Sequence, residues 1–393
     1  MDIKLNEDQI EIARQARRFC ENESPMDYVR AMFEDDRGFT DEFWAKQAEL
    51  GWMAMCVPEA YGGLDMTLMD LAVVLEEMGR AMVPGPFFST VLLAAEAIAA
   101  AGNDSQKDTY LSAMAMGEMK GTLALHEPDS GADPGYIQMT AVADGDGFVL
   151  EGTKIPVPDA HVADIIVCAA RTEAGDDPEK GITLFLVDPK ADGVSVTPLP
   201  VMDGTRKLCA VEFTGVRVGP DHVLGEVNNG WTPLSRVLRR AQVALCAESL
   251  GGAQKAMEIA TEYAKERVQF DQPIGAYQAV KHRCAQIYVE AESARSLLYW
   301  AAWAQDSEDD QAAVLAASVA KAYCSEVYRN ATASAIQVVY RNATTGAIQV
   351  LGGTGFSWEH DIHLYLKRAK ANEVMLGDPV YHREQVARLI TTE

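Results

Sequence analysis

The spacing of apolar residues changes period twice along this 393-residue chain, and those two changes restrict the fold more than any single motif does. From Glu7 to about Gly117 apolar residues recur at helical intervals; in DLAVVLEEMGRAM, Leu71, Val74, Leu75 and Met78 fall on one face. From about Gly121 to Gly225 the texture becomes short β-branched runs, QMTAVADG, GFVLEGTK, DIIVCAAR, ITLFLVD, VSVTPLP and CAVEFTGVRV, parted by Gly, Asp and Pro turns. After Asn228-Asn229-Gly230 the helical period returns and holds to the C-terminus, as in RAQVALCAESLGGAQKAMEIATEYAKER and YQAVKHRCAQIYVEAESARSLLYWAAWAQ. The order predicts an α+β multidomain chain: an N-terminal α-helical domain over 1–120, a central β-barrel or sandwich domain over 121–228, and a C-terminal α-helical bundle over 229–393.

Charge and composition narrow the partners. With 34 Lys+Arg against 58 Asp+Glu the formal net charge is -24, so nucleic acid or an anionic membrane would have to bind against the molecule's own field. The longest apolar stretch, Val91 to Ala101, is too short to span a bilayer and contains Glu96, and MDIKLNEDQIEIARQ lacks the apolar core of a signal peptide. We therefore expect a cytoplasmic protein with no nucleic acid and no membrane insertion. Cysteines at 20, 56, 168, 209, 246, 284 and 324 form no CxxC pair, which fits a reducing compartment and argues against structural zinc.

Common chemistry motifs are missing. There is no GxxxxGKS/T, and GGTGF at 352–356 is not a GxGxxG following a strand, so a Rossmann reading fails. No GxSxG elbow or cysteine motif marks a covalent nucleophile. His360 and His363, with Asp361, Glu359 and His382 nearby, share a helix face as metal ligands would, but no second ligand cluster accompanies them. A solvated helix is the better reading, and no metal is expected.

Residues 328–339 (YRNATASAIQVV) and 340–351 (YRNATTGAIQVL) are a tandem repeat. One extra copy is far from a solenoid, which needs about three stacked units to bury a core. We read it as a local duplication, and the N-x-T patterns at Asn330 and Asn342 as accidental in a chain without a secretory signal. Twelve added helical residues displace the downstream chain by about 18 Å and turn it by about 120°. We expect the second copy, which leads directly into Gly352, to keep the functional position, with Gln349 rather than Gln337 facing the ligand. The first copy would then be absorbed as a bulge, loop or outward extension, preferably as two short helices joined near Val339-Tyr340.

PEAYGG (58–63), LEEMGR (75–80), LHEPDSGAD (125–133), ERVQFDQPIGAYQAVKH (266–282) and QVLGGTGFSWEHDIHLYLKRAK (349–370) together resemble the acyl-CoA dehydrogenase family, in its order and spacing. The resemblance runs through essentially the whole chain. It implies a helical N-terminal domain, a central β-domain, a C-terminal four-helix bundle, non-covalent FAD, and tetramers in which one subunit completes its neighbour's flavin site. Arg267 of RVQF matches the family arginine that reaches a neighbouring subunit's FAD pyrophosphate, a task suited to a guanidinium's paired donors. Phe270 of the same motif, Gln278, Gln349, Gly352 and Gly353 match further cofactor positions, and glycines there let backbone approach phosphate. The resemblance implies acyl-CoA as substrate and electron-transfer flavoprotein as electron acceptor.

Departures from the family pattern concern the chemistry. The glutamate that usually acts as base aligns with Leu376, followed by Gly377 and Asp378, and the alternative base position aligns with Ala241. Neither Leu nor Ala takes a proton. Asp378 and Glu248 are the remaining carboxylate candidates, and a base must reach the α-proton. Where the family has an aromatic and a hydroxyl beside the flavin, KIPVP has Pro156, Val157 and Pro158; Pro158 offers neither hydroxyl nor N–H. His126 replaces a threonine, making an imidazole the side chain at the pyrimidine edge, and Ala132 replaces a serine. Asp271 replaces a glycine; it either pairs with Arg267 or adds negative charge near phosphate.

The C-terminal LGDPVYHR (376–383) groups the chain with a divergent branch whose members often act on CoA esters of bulky, cyclic or dicarboxylic acids. Some pair with a non-identical subunit as α2β2. This implies an FAD-dependent acyl-CoA dehydrogenase, or a subunit of one, as homotetramer or α2β2 heterotetramer, the partner supplying the missing base. The alternative is a catalytically silent subunit that binds acyl-CoA or supports a homologous partner.

Overall fold

A computed structural model of the chain describes residues 4–391 apart from 130, 308 and 342–359. By packing it divides into two compact units: Met1–Arg30, Leu68–Val83 and Gln242–Glu393 form a helical unit, and Ala31–Thr67 with Pro84–Ala241 form a sheet unit. The N-terminal helical stretch is thus shared between the two. It holds α1 (Glu7–Glu23), α2 (Met26–Glu34), α3 (Asp41–Glu49), α4 (Leu68–Arg80), a π-helical turn (Phe88–Ala95) running into α5 (Glu96–Ala101), and α6 (Asp104–Ala115). Helix α1 starts at a capping box, in which Asn6 and Gln9 satisfy each other's backbone amides.

The sheet unit is built on β1 (Gly121–Ala124), β2 (Thr140–Asp144), β3 (Gly147–Pro158), β4 (Ile165–Arg171), β5 (Ile182–Val187), β6 (Val194–Pro198), β7 (Leu208–Val218) and β8 (Val223–Leu224). Strands β2 to β7 lie in or overlap the β-branched runs read from the sequence, whereas β1 and β8 fall outside them. The order across the sheet is β6-β7-β3-β2-β4-β5-β8, with β1 parallel to β4. Leu150, Val157, Ile166, Phe185, Val211 and Phe213 are among the fully buried residues of its core. Long β3 leaves the β7 ladder between Lys154 and Val157, and there Ile155 N–H donates instead to His126 O at 2.7 Å. That detour brings the loop after β1 to the end of β3.

The rest of the chain is α7 (Trp231–Glu266), the hairpin β9 (Val268–Gln269) and β10 (Gln272–Pro273), α8 (Gln278–Gln305), α9 (Asp310–Arg341), α10 (Ile362–Val374) and α11 (Pro379–Thr391). Within the helical unit, α4 buries Leu71, Val74, Leu75 and Met78, the face the sequence predicts. It buries Glu76 as well, which forms an ion pair with Arg295 at 2.7 Å. Helix α7 crosses α4 at two glycines: a Cβ on Gly79 would stand 2.1 Å from Glu248 O, and one on Gly251 1.8 Å from Glu76 O. Among the described residues no helix is long and apolar enough to cross a membrane.

The duplication departs from expectation. Helix α9 runs without a break through Val339 and Tyr340 to Arg341, so the first copy is wholly helical, and the second of the two short helices expected lies outside the described residues. The first copy is not extruded. Its Tyr328, Ala331, Thr332, Ala335, Ile336 and Val338 are all buried on one helix face, and the Tyr328 ring fills the notch left by Gly252. The second copy from Asn342 onward lies outside the described residues, and with it Gln349, Gly352 and Gly353.

Candidate functional site

In the sheet unit, His126 lines a cleft at the end of β1 with Leu125, Gly131, Ala132, Asp133, Tyr136 and Trp231. The loop is pinned from beneath by a buried ion pair. Lys154, fully buried on β3, donates to Leu125 O at 3.0 Å and to Glu127 Oε1 at 2.7 Å, and the same Glu127 oxygen accepts the amides of Gln138 and Met139. Burial, reinforced by the Lys154 ammonium, holds the His126 pKa below its usual value, against a backbone hydrogen bond at Gly131, so the ring is neutral at pH 7. Gly131 has no room for a side chain, because a Cβ would sit 2.5 Å from the Tyr136 ring.

Beside His126 stands the end of β3. Val157 is fully buried in the sheet core, so only its backbone is available to a ligand. The Pro158 carbonyl is taken by the Thr122 hydroxyl at 2.5 Å, and Asp159, in left-handed conformation, accepts from the Ser89 hydroxyl at 2.6 Å. Sequence reading missed Thr122, Ser89, Lys154 and Glu127 as supports; the one signal was a lysine at a core-facing position of a strand.

In the helical unit, Arg267, Phe270 and Gln278 are exposed together around the β9–β10 hairpin, where Ile274 N–H donates to Arg267 O at 2.8 Å. Phe270 (φ 53°) and Asp271 (φ 62°) are the two loop residues, both left-handed, as a two-residue hairpin turn with right-twisted strands requires. Asp271 stands at this turn rather than against Arg267: among the described residues the Arg267 guanidinium meets no carboxylate. Phe270, 74% exposed, rests edge-on against Tyr277.

The same unit holds the carboxylate candidates. Asp378 is exposed and accepts Tyr381 N–H at 2.8 Å, so it is the N-cap of α11. Glu248 is buried at the α4–α7 crossing. Leu376 (φ 58°) and Gly377 (φ 101°) form a left-handed turn after α10, and the Leu376 carbonyl accepts from Gln242 Nε2 at 3.1 Å and His382 Nε2 at 3.0 Å. Ala241 is fully buried. Asp361 is paired with Arg30 at 2.6 Å, and among the described residues no group of three or more potential metal ligands occurs.

The arrangement of a helical unit and a sheet unit is the fold of the acyl-CoA dehydrogenases, flavoprotein oxidoreductases that act on acyl-CoA. Family models for the acyl-CoA dehydrogenase N-terminal, middle and C-terminal domains match residues 6–118, 122–216 and 228–345, and the chain belongs to the acyl-CoA dehydrogenase family. It is 32% identical over 362 residues to the acyl-CoA dehydrogenase IpdE2 of Mycobacterium tuberculosis, covering 92% of this chain and 89% of the relative. To the probable acyl-CoA dehydrogenase YngJ of Bacillus subtilis it is 29% identical over 393 residues, 99% of each. A solved variant of the Tcur3481-Tcur3483 steroid ACAD superposes with a TM-score of 0.84 at 31% identity, covering 98% of both chains.

FAD is the cofactor of this family, and the residues present fit it. The cleft at His126 offers a neutral imidazole and the backbone of a loop that Gly131 keeps close, suited to the polar edge of a flat heterocycle. Arg267 offers a guanidinium without a carboxylate partner among the described residues, suited to phosphate.

Proposed function

We propose that this chain is an FAD-dependent acyl-CoA dehydrogenase subunit acting on the CoA thioester of a bulky, cyclic or dicarboxylic acid, and that the base for the α-proton comes from a homologous partner in an α2β2 assembly. The observation that carries this reading is the pair Leu376 and Ala241: both positions where the family places a carboxylate are apolar and buried. Asp378 is engaged as a helix cap and Glu248 lies in a helix crossing. FAD, when bound, supplies the acceptor for the β-hydride. The chain's own residues do the positioning: in the sheet unit His126 and its loop orient the isoalloxazine edge; in the helical unit Leu376 borders the thioester and keeps water from the reacting carbons, and Arg267, Phe270 and Gln278 hold the phosphate and adenine side of a neighbouring subunit's FAD. Gln349, Gly352 and Gly353 complete the cofactor set. Electron-transfer flavoprotein is the acceptor that reoxidises the flavin.

The likeness to a steroid ACAD whose name joins two designations supports both the bulky substrate and the paired assembly. A silent supporting subunit is the second reading, favoured by the same two apolar positions. The test is an anaerobic titration with 3-phenylpropionyl-CoA, cyclohexanecarboxyl-CoA and glutaryl-CoA, with and without the homologous subunit. Bleaching of flavin absorbance only in the complex supports the proposal. Equally fast bleaching by this chain alone as a homotetramer overturns the borrowed base, and an active complex in which this chain carries no flavin establishes the silent subunit.

A further inference from the structure

Helix α9 carries a lysine where a helix bundle normally has none. Lys321 is 1% exposed, and its Nζ lies 2.9 Å from Asn372 O, 3.2 Å from Glu373 O and 3.0 Å from Gly377 O, with Ser325 Oγ at 3.1 Å. Two of these carbonyls belong to the last turn of α10 and the third to the left-handed turn after it. Helix ends leave carbonyls without partners, and an ammonium has three protons, shared here among three carbonyls and the Ser325 hydroxyl. The same turn is gripped at Leu376 O by Gln242 from α7 and His382 from α11. A left-handed leucine persists only where its surroundings enforce it.

We propose that Lys321 is a positioning residue for the acyl-CoA reaction: by tying Asn372, Glu373 and Gly377 to one buried ammonium, it fixes the turn that sets residue 376 beside the thioester. This rests on the functional reading above, in which the 376 turn borders the substrate.

The charge state supplies a separable signature. Burial pushes the Lys321 pKa down to about 8; the titratable groups around it are Cys246 on α7, Cys324 on α9, Glu373 on α10, Asp378 in the turn and His382 on α11. As pH rises through 8 the amine keeps two protons for three carbonyls, and the turn loosens. Linkage runs the other way for the fold as a whole. Above pH 8 the unfolded chain still binds the proton that the folded chain has lost, so this lysine makes folding less favourable at low pH and more favourable as pH rises toward 10.5. A merely structural lysine therefore predicts stability rising with pH and ligand affinity unmoved, whereas a positioning lysine predicts thioester affinity falling over the same range.

The experiment uses flavin-loaded protein, unmodified and Lys321→Met, with cinnamoyl-CoA binding read from the perturbed flavin absorbance between pH 7 and 9, and amide hydrogen exchange measured on peptides covering 372–378 and α4. We expect the variant to keep its FAD, to bind cinnamoyl-CoA roughly tenfold more weakly at pH 7, to exchange faster at 372–378 but not in α4, and to lose the affinity drop that the unmodified protein shows toward pH 9. Unchanged affinity in the variant, or exchange accelerated equally in α4, overturns the assignment. If the variant does not fold, the unmodified protein decides: a flat affinity profile from pH 7 to 9 overturns it. No cinnamoyl-CoA binding by the unmodified protein at any pH instead counts against the functional reading, and the exchange comparison then judges Lys321 alone.

Discussion

The Leu376 carbonyl and the His382 imidazole stand 3.0 Å apart, and since a carbonyl only accepts, Nε2 carries the proton and Nδ1 does not. Among the described residues Nδ1 has no hydrogen-bond partner, and burial, with Lys321 nearby, pushes the His382 pKa down to about 4. The unfolded chain protonates this histidine near its ordinary value while the folded chain does not. Stability is therefore full above about pH 6.5 and falls as pH drops toward 4, by on the order of 2–3 kcal/mol from this residue. His382→Gln keeps a donor for Leu376 O without titrating. Chemical denaturation at pH 7 and pH 4.5 should show a smaller acid loss in that variant than in the unmodified protein.

Arg267 is exposed, and its guanidinium meets no carboxylate among the described residues, so removing it should leave the fold untouched. If it holds the FAD phosphate, Arg267→Ala loses a charge-assisted hydrogen bond of about 1.5–3 kcal/mol. The expected result is a ten- to hundredfold weaker FAD affinity, by roughly that energy, at an unchanged melting temperature of the flavin-free protein. Both quantities come from titrating apoprotein with FAD and from calorimetry without it.

The duplication allows a paired deletion. Among the described residues, the six that the first copy buries, Tyr328, Ala331, Thr332, Ala335, Ile336 and Val338, have identical counterparts in the second, Tyr340, Ala343, Thr344, Ala347, Ile348 and Val350. Arg329, which pairs with Glu373, and Gln337, which pairs with Arg283, likewise have the same residue types at the matching positions, Arg341 and Gln349. Among the differences, Ala333 to Thr345 and Ser334 to Gly346 trade helix formers for weaker ones. Deleting 328–339 should therefore yield a folded protein about 1 kcal/mol less stable than deleting 340–351, which denaturant titration of the two variants will measure.

The α, β, α order and most strand positions were legible because β-branched runs bounded by turns mark strands even where, as in β4 and β5, burial runs along the whole strand, and because burial on a helix face leaves a period near 3.6. Helix α4 shows where such reading stops: Leu71, Val74, Leu75 and Met78 announce a face, but Glu76 is buried too, through Arg295 some two hundred residues away, which no local period reports. The site divides the same way. His126, Arg267, Phe270 and Gln278 were picked out by motif. The supports were not: Lys154 beneath the His126 loop and Lys321 beneath the 376 turn each act through carbonyls supplied by distant segments. Asp378 read as a carboxylate and folds as a cap, because its role is set by the amide three residues on.

If this chain lacks its own base where the flavin and thioester chemistry needs one, Leu376→Glu should restore it. The readout is the rate at which 3-phenylpropionyl-CoA bleaches the flavin-loaded chain under anaerobic conditions without any partner subunit. General base catalysis contributes about a hundred- to ten-thousandfold. The expected gain is at least roughly a hundredfold over the unmodified chain. No gain, in a variant that binds FAD and the thioester as the unmodified chain does, would contradict the assignment of residue 376 as the vacant base position.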